Sequence, residues 1–334
     1  MTSIEIGGMV VGPGERGRVE LPAARLATGS PLGIPVDVVN WLRPVPRVWL
    51  IAAIHGDEPN GVEIIRQVLG EVSPRHLAGS LLAVPIVNVH GFITESRYLP
   101  DRRDLNRSFP GSARGSQAAR LAHLLISQVI GGGDVGIDLH TGSGDRSNFP
   151  QLRADLDDPE TRRLAQAFGA PLMIHSSTRD GSLRAAATGM GARVLVYEGG
   201  EARRFNRHAI EVGTQGVLRV LRALGMRGGG QGPASVSRES RSTRWVRAGR
   251  SGLVRLDVEP GSDVEKGQAI GVIKDAFGDR TLRVRASASG VIIGQTRQPN
   301  VNRGDALVHI AEFGAPSGEP SGAPEESDRA APTG

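Results

Sequence analysis

The sequence predicts an α/β fold, a sheet flanked by helices, followed by a small all-β module. Three observations predict it. Over the first 225 residues short β-rich runs alternate with helical segments, the pattern of a domain whose strands are covered on both faces. The composition then changes to Gly228-Gly229-Gly230-Gln231-Gly232-Pro233-Ala234-Ser235 and a polar stretch to Thr243, which has too little apolar surface to order itself. Beyond it a unit of strand, Gly-rich turn and strand occurs twice.

Val48-Trp49-Leu50-Ile51-Ala52-Ala53-Ile54 reads as a buried strand. A helix follows from Pro59 or Asn60 to Leu69, because proline suits a first turn and Val62, Ile65, Val68 and Leu69 repeat at helical spacing. Leu81 to Val87 is a second strand. The loop Phe109 to Ser116 leads to a helix from Gln117 to Val129; it has no Gly-x-x-x-x-Gly-Lys spacing and is expected to be a lid or pocket edge rather than a phosphate cradle. Val135 to Leu139 and Arg193 to Tyr197 are two further strands. The four runs end against His55, Asn88, His140 and Glu198. Ligands of open α/β sheets bind outside the carboxyl ends of strands, so these polar residues converge on the place where a site belongs.

In the second module, Ser251-Gly252-Leu253-Val254 followed by Glu259 to Gln268 is echoed by Ala288-Ser289-Gly290-Val291-Ile292 followed by Asn300 to Asp305. The expected organisation is a catalytic domain over 1–226, a linker over 227–242, the β module over 243–313 and a disordered tail over 314–334, rich in Gly, Pro and acids.

A chain of 334 residues with 39% hydrophobic content suffices for two domains and a substantial core. The net charge of +5 comes from arginines spread along the chain, and aromatics are 4%. Nucleic-acid binding needs a concentrated basic stripe, often with stacking aromatics, so no nucleic-acid partner is expected. No run approaches the roughly 18 apolar residues that span a bilayer. The start, Met1-Thr2-Ser3-Ile4-Glu5, lacks the basic and apolar regions of a secretory signal, which makes a cytoplasmic location the expectation. There is no cysteine, so any metal must be held by His and carboxylates.

His55 and Glu58 lie within reach of one ion if the chain turns at Gly56 before its helix. Tetrahedral zinc then needs a third protein ligand and an open position for water, and His140 is the natural third. His90, His123, His175, His208 and His309 belong to no such constellation and read as ordinary solvated or hydrogen-bonded residues.

The segments His55-Gly56-Asp57-Glu58, Asp104-Leu105-Asn106-Arg107, Asp138-Leu139-His140-Thr141-Gly142 and Tyr197-Glu198-Gly199-Gly200, in this order, resemble the succinylglutamate desuccinylase/aspartoacylase family, relatives of the zinc carboxypeptidases. The resemblance spans roughly residues 1–225. It implies a zinc-carboxypeptidase-like mixed sheet, one zinc ion per chain on His55, Glu58 and His140, and Glu198 as general base and acid. It further implies a substrate-carboxylate grip by Asn106 and Arg107, carbonyl polarisation by Arg97, a small N-acyl amino acid substrate, and a homo-oligomer. Arg102 and Arg103 compete with Arg97, because the run Pro100-Asp101-Arg102-Arg103 leaves the correspondence open.

The chemistry agrees with these roles. Zinc brings the pKa of bound water to about 7, a partly desolvated Glu can shuttle the proton, and a planar guanidinium holds a carboxylate bidentately. Asp138 is expected to orient a ligating imidazole, and Asp57 to do the same or to cap the helix.

The C-terminal repeat resembles the biotinyl/lipoyl-type barrel-sandwich hybrid. Lys274 stands near the carrier position, but its flanks depart from the carrier pattern; the segment looks like an elongated hairpin whose tip, Phe277-Gly278-Asp279, reaches toward the catalytic domain. Deacylase, zinc carboxypeptidase and non-catalytic binding protein are the three functional classes, and the full set of ligand, base and clamp residues favours the first over the third.

Overall fold

The structure is a computed structural model that describes residues 3–41, 46–229 and 236–313. A hairpin of β1 (Ile4–Ile6) and β2 (Met9–Val11) precedes a long antiparallel pair, β3 (Arg16–Arg25) and β4 (Pro31–Asn40). The α/β part continues through β5 (Arg47–Ala52), α1 (Asn60–Glu71), β6 (Ser80–Val84), α2 (Val89–Ile93), a 3-10 turn at Leu105–Arg107 and α3 (Gln117–Leu125). After a π turn at Ile126–Ile130 come β7 (Val135–Gly142), β8 (Arg146–Ala154), α4 (Pro159–Phe168), β9 (Leu172–His175), α5 (Leu183–Gly189), β10 (Arg193–Glu201) and α6 (Arg207–Ala223).

The sheet is mixed. Strands β6, β5, β7 and β10 run parallel in that spatial order, while β4 joins β6 and β8 joins β10 antiparallel. The parallel strands are buried on both faces, and every residue of β7 is buried. Successive side chains alternate between faces. Leu50, Ile137, Leu139, Leu195 and Tyr197 pack with α1, α4 and α6 in one core, whereas Trp49, Ile51 and Val194 pack with α3 and α5 in a second. Asp138, His140 and Glu198, which alternate with the first set, therefore face the side of α3 and α5.

Two expected strands run on past their predicted ends. Strand β7 continues to Gly142 and β10 to Glu201, because the parallel ladder persists through Glu198↔His140 and Glu201↔Gly142 and β8 pairs back along β10. His140 and Glu198 consequently lie within strands rather than beyond them. His55 lies past the end of β5, and Asn88 caps α2 through an Oδ1 that accepts from the Gly91 N–H. The helix expected over 117–129 is α-helical to Leu125 and then widens into the π turn.

The C-terminal region is all-β: β11 (Arg238–Ser240), β12 (Ser242–Arg247), β13 (Gly252–Leu256), β14 (Asp263–Val264), β15 (Ala269–Lys274), β16 (Thr281–Arg285), β17 (Gly290–Thr296), β18 (Asn300–Val301) and β19 (Ala306–Glu312). Strand β17 pairs with β8, and β19 and β12 follow it, so the main sheet runs on into the module as thirteen strands. Strands β16, β15, β13 and β18 form a separate four-stranded sheet. The repeat halves interleave, β13 pairing with β18 and β14 with β17. Val291, Ile293 and Ala311 seal the module against Leu172 and Ile174 of β9.

Part of the segment expected to be a linker is ordered. Strand β11 pairs with β9, and the hydroxyl of buried Ser240 lies 2.8 Å from the carbonyls of both Ser242 and Glu312, either of which it can donate to; residues 230–235 and the tail 314–334 lie outside the described residues. The strands of the β15–β16 hairpin pair only within the four-stranded sheet, and Phe277 at its tip is 91% exposed. The loop 109–116 folds back on α3, with the Ser112 N–H donating to the Ala119 carbonyl.

Candidate metal centre and active site

The turn after β5 brings His55 and Glu58 together. Its Gly56 lies so close to α2 that a Cβ would sit 1.9 Å from the Gly91 carbonyl carbon, a distance only glycine permits. Pro59 caps α1, and Gly61 lets that helix approach β7, where a Cβ would lie 2.9 Å from Leu139 Cβ. The carboxylate just before α1 is thereby set against His140 of β7.

Glu58 stands between the two imidazoles. Its Oε1 is 2.7 Å from His55 Nδ1, and its Oε2 is 2.9 Å from His140 Nδ1 and accepts from the Thr141 N–H at 3.1 Å. The two rings have centroids 5.0 Å apart. Each imidazole turns its other nitrogen to an aspartate: His55 Nε2 is 3.3 Å from Asp104 Oδ1, and His140 Nε2 is 3.0 Å from Asp138 Oδ2. His55, Glu58, Asp138 and His140 are all buried.

The electrostatics follow from this enclosure. Burial alone would lower the pKa of both histidines, but the surrounding carboxylates override it, raising His55 and raising His140 well above the ordinary imidazole value. Burial would raise Glu58 and Asp104, yet the adjacent imidazoles, with Arg97 beside Asp104, hold both far below the usual carboxylate range. The site thus demands positive charge between one carboxylate and two imidazoles. One donor atom from each of His55, Glu58 and His140 lies within 4.8 Å of the others, and two nitrogens with one carboxylate are the donor set of an open zinc site. The residues fit the metal. The Asp–imidazole contacts behind both ligands match the usual outer support of such sites.

Arg97 reaches the same cluster. Its Nε and Nη2 donate to Asp104 Oδ2 at 3.2 and 2.7 Å, its Nη1 donates to Ser143 Oγ at 2.8 Å, and Nη1 lies 3.9 Å from Glu58 Oε1. Arg102 and Arg103 are exposed, and Arg103 faces Asp101. Asp57 neither touches an imidazole nor caps α1; its Oδ2 accepts from the Gly144 N–H and so ties the β7–β8 turn to the His55 loop. Between that turn and the end of β10 a cleft of about 480 Å³ opens, lined by Arg146, Glu201, Arg203 and Arg297 among others.

Half-buried Glu198 is register partner to His140, and its Oε2 accepts from Asn148 Nδ2 at 3.0 Å. Asn106 uses its Oδ1 to accept from the Leu183 N–H at the start of α5. Arg107 is exposed and donates to the Asn106 carbonyl. Their turn packs against the 179–183 segment, where Gly181 abuts the Arg107 backbone.

Sequence reasoning assigned no role to Asp104, Asn148, Arg153 or Arg184. Asp104 had a signal, its place in Asp104-Leu105-Asn106-Arg107. Arg184 donates to Ser176 Oγ at 2.8 Å and to the Ser177 carbonyl; burial, with Arg153 and Arg179 nearby, pushes its pKa down to about 10. The Arg153 Nε is buried with no hydrogen-bond partner among the described residues. Arg153 is register partner to Val196, two residues before Glu198, so it shares the face of Glu198. Asp155, Asp157 and His175 form another carboxylate–imidazole group, but both acids are exposed and His175 Nδ1 already accepts from the Leu156 N–H.

Residues 44–224 match the model of the succinylglutamate desuccinylase/aspartoacylase catalytic domain, more than half of the chain. The chain belongs to the succinylglutamate desuccinylase/aspartoacylase family. Its similarity to relatives extends through the β module. The N-alpha-acetyl-L-2,4-diaminobutyric acid deacetylase of Halomonas elongata is 27% identical over 296 residues, covering 84% of this chain and 85% of its own. The crystal structure of a family member from Rhodobacter sphaeroides superimposes with a TM-score of 0.80 at 28% identity, over 89% of this chain and 95% of that one. The ectoine utilization protein EutE (DoeB) of Ruegeria pomeroyi, in a product-bound structure, shares the fold with a TM-score of 0.79 at 23% identity, over 89% and 94% of the two chains. No helix among the described residues is long and apolar enough to cross a membrane.

Proposed function

We propose that this member of the family is a zinc-dependent deacylase that hydrolyses the amide bond of a small N-acyl amino acid. The observation that carries the reading is the convergence of His55 Nδ1 and His140 Nδ1 on Glu58, with Glu198 on the strand beside His140. His55, Glu58 and His140 would hold the ion, which when bound supplies Lewis acidity that polarises a carbonyl and acidifies water. Glu198 takes the proton of the attacking water and returns it to the departing nitrogen. Arg97, aligned by Asp104 and Ser143, presents a guanidinium where negative charge develops on the carbonyl oxygen.

The amino-acid carboxylate fits the side of the site where Asn106 and Arg107 pack against the segment leading to Arg184. Arg184 and Arg153 are close, partly buried cations; the hydrogen bonds of Arg184 go to neutral groups and Asp138 and Asp155 offset only part of the crowding, a setting an anion would relieve further. The Halomonas relative's substrate, an N-acetylated diamino acid, has this carboxylate and defines the first compound to try.

The test is elemental analysis of purified protein and of its His55→Ala and His140→Ala variants, with an assay for free amine released from N-acetyl-diaminobutyrate, N-acetylaspartate, N-succinylglutamate and dipeptides. About one zinc per chain and chelator-sensitive release from an N-acyl amino acid support the reading. A parent that binds no zinc, or cleaves only dipeptides, overturns it.

A further inference from the structure

Strand β8 lies between the strand that carries Glu198 and the first strand of the C-terminal module. Asn148 is at the point where it meets both: its register partners are Gly200 on β10 and Gly294 on β17. Its Nδ2 donates to Glu198 Oε2 at 3.0 Å, and its Oδ1 points at Gly294, where a Cβ would lie only 2.7 Å away. The β8–β10 ladder is irregular at this level, between Glu198 and Gly200, and β17 has its own irregularity between Ile292 and Gly294 where it pairs with β19. Bulges of this kind bend a strand and re-aim a side chain beside a site. Three residues on, buried Gln151 is register partner to Glu198 and donates to the Ile293 carbonyl of the module at 3.2 Å.

We infer that Asn148 is a positioning residue for Glu198 and that β17 holds Asn148 in place, so the C-terminal module is a working part of the active site. The inference rests on Glu198 as the proton shuttle. A donated N–H fixes the carboxylate's rotamer and favours its charged form, which is the form that accepts a proton from water. A Cβ at Gly294 would press on the Asn148 amide oxygen, so any larger residue at this crossing must turn that amide aside.

The experiment compares full-length Asn148→Ala, Asn148→Ser, Gly294→Ala and the Asn148→Ala/Gly294→Ala double variant with the parent, measuring zinc content, melting temperature, kcat, KM and the pH profile of kcat/KM. Asn148→Ala lowers kcat roughly 10-fold with KM changed less than about 2-fold, and moves the acid limb to higher pH. Asn148→Ser, which keeps a donor, restores part of both. Gly294→Ala reproduces the limb shift from within the module, and the double variant is little worse than Asn148→Ala alone, as coupled residues require. An unmoved acid limb in zinc-loaded Asn148→Ala, or a Gly294→Ala that lowers only the melting temperature, overturns the inference. Glu198→Gln run in parallel separates the two failures: if it keeps full activity, the shuttle reading itself is wrong.

Discussion

His140 on β7 and Glu198 on β10 are register partners on adjacent parallel strands, and their side chains turn to the same face of the sheet. Neighbouring strands lie about 4.8 Å apart, so main-chain pairing, rather than loop geometry, sets the spacing between a metal ligand and the carboxylate beside it. Glu198→Gln keeps shape and removes the proton acceptor. It should lower kcat by about 10²–10⁴-fold while zinc content stays at the parent level. Loss of zinc together with activity would instead make Glu198 part of the metal site.

Zinc loading should depend on pH with a definite sign. His55 and His140 have raised pKa values in the metal-free chain, so their protonation stabilises the fold below the ordinary imidazole range, near 6.5, and that contribution is lost as pH rises through the raised values. Metal requires neutral imidazoles, competes with those protons, and replaces the lost positive charge. The gain in melting temperature on adding zinc should therefore be larger at pH 8 than at pH 6, with protons released on binding. Calorimetric titration in buffers of different ionisation enthalpy measures that release. An equal gain at both pH values contradicts the account.

Arg184 gives a prediction about the substrate. Its guanidinium is crowded by Arg153 and Arg179, so a bound carboxylate should relieve more repulsion than at an isolated arginine. Arg184→Gln should raise KM for N-acyl amino acids by about 10-fold or more and leave zinc content intact, since charged hydrogen bonds contribute roughly 1.5–3 kcal/mol. The corresponding amides, lacking the carboxylate, should show a smaller change. Equal losses on acids and amides would remove Arg184 from the carboxylate pocket.

The parallel strands and the metal ligands were legible in the sequence for a physical reason. Strands β5, β6, β7 and β10 are built on apolar runs because both their faces are largely covered, and His55 and Glu58 sit on one local turn. Asn148 and Arg184 carried no such signal. Asn148 matters only because β8 meets β10 on one side and a strand more than a hundred residues later on the other, and Arg184 only because the loop after β9 returns it beside Arg153. The run-on of β7 and β10 was hidden likewise, since pairing with β8 decides where they stop.

Gly56 connects the fold to the metal most directly. Its missing Cβ would lie 1.9 Å from the Gly91 carbonyl carbon and 2.2 Å from the Phe92 nitrogen, both backbone atoms that cannot swing away. Gly56→Ala must push the His55–Glu58 turn off α2, breaking the hydrogen bond from the Gly56 N–H to the Ser96 carbonyl. Overpacking of this kind costs about 1–3 kcal/mol, and the lost backbone bond adds to it. The displaced atoms include the turn that carries two of the three ligands, so zinc affinity should fall along with the melting temperature. Gly70→Ala is the control: it lies on α1, the helix that follows the turn, with no atom within 4 Å of its would-be Cβ, and it should leave zinc affinity unchanged. A Gly56→Ala protein that melts like the parent and binds zinc as tightly would show that the turn tolerates displacement and that α2 does not set the ligand geometry.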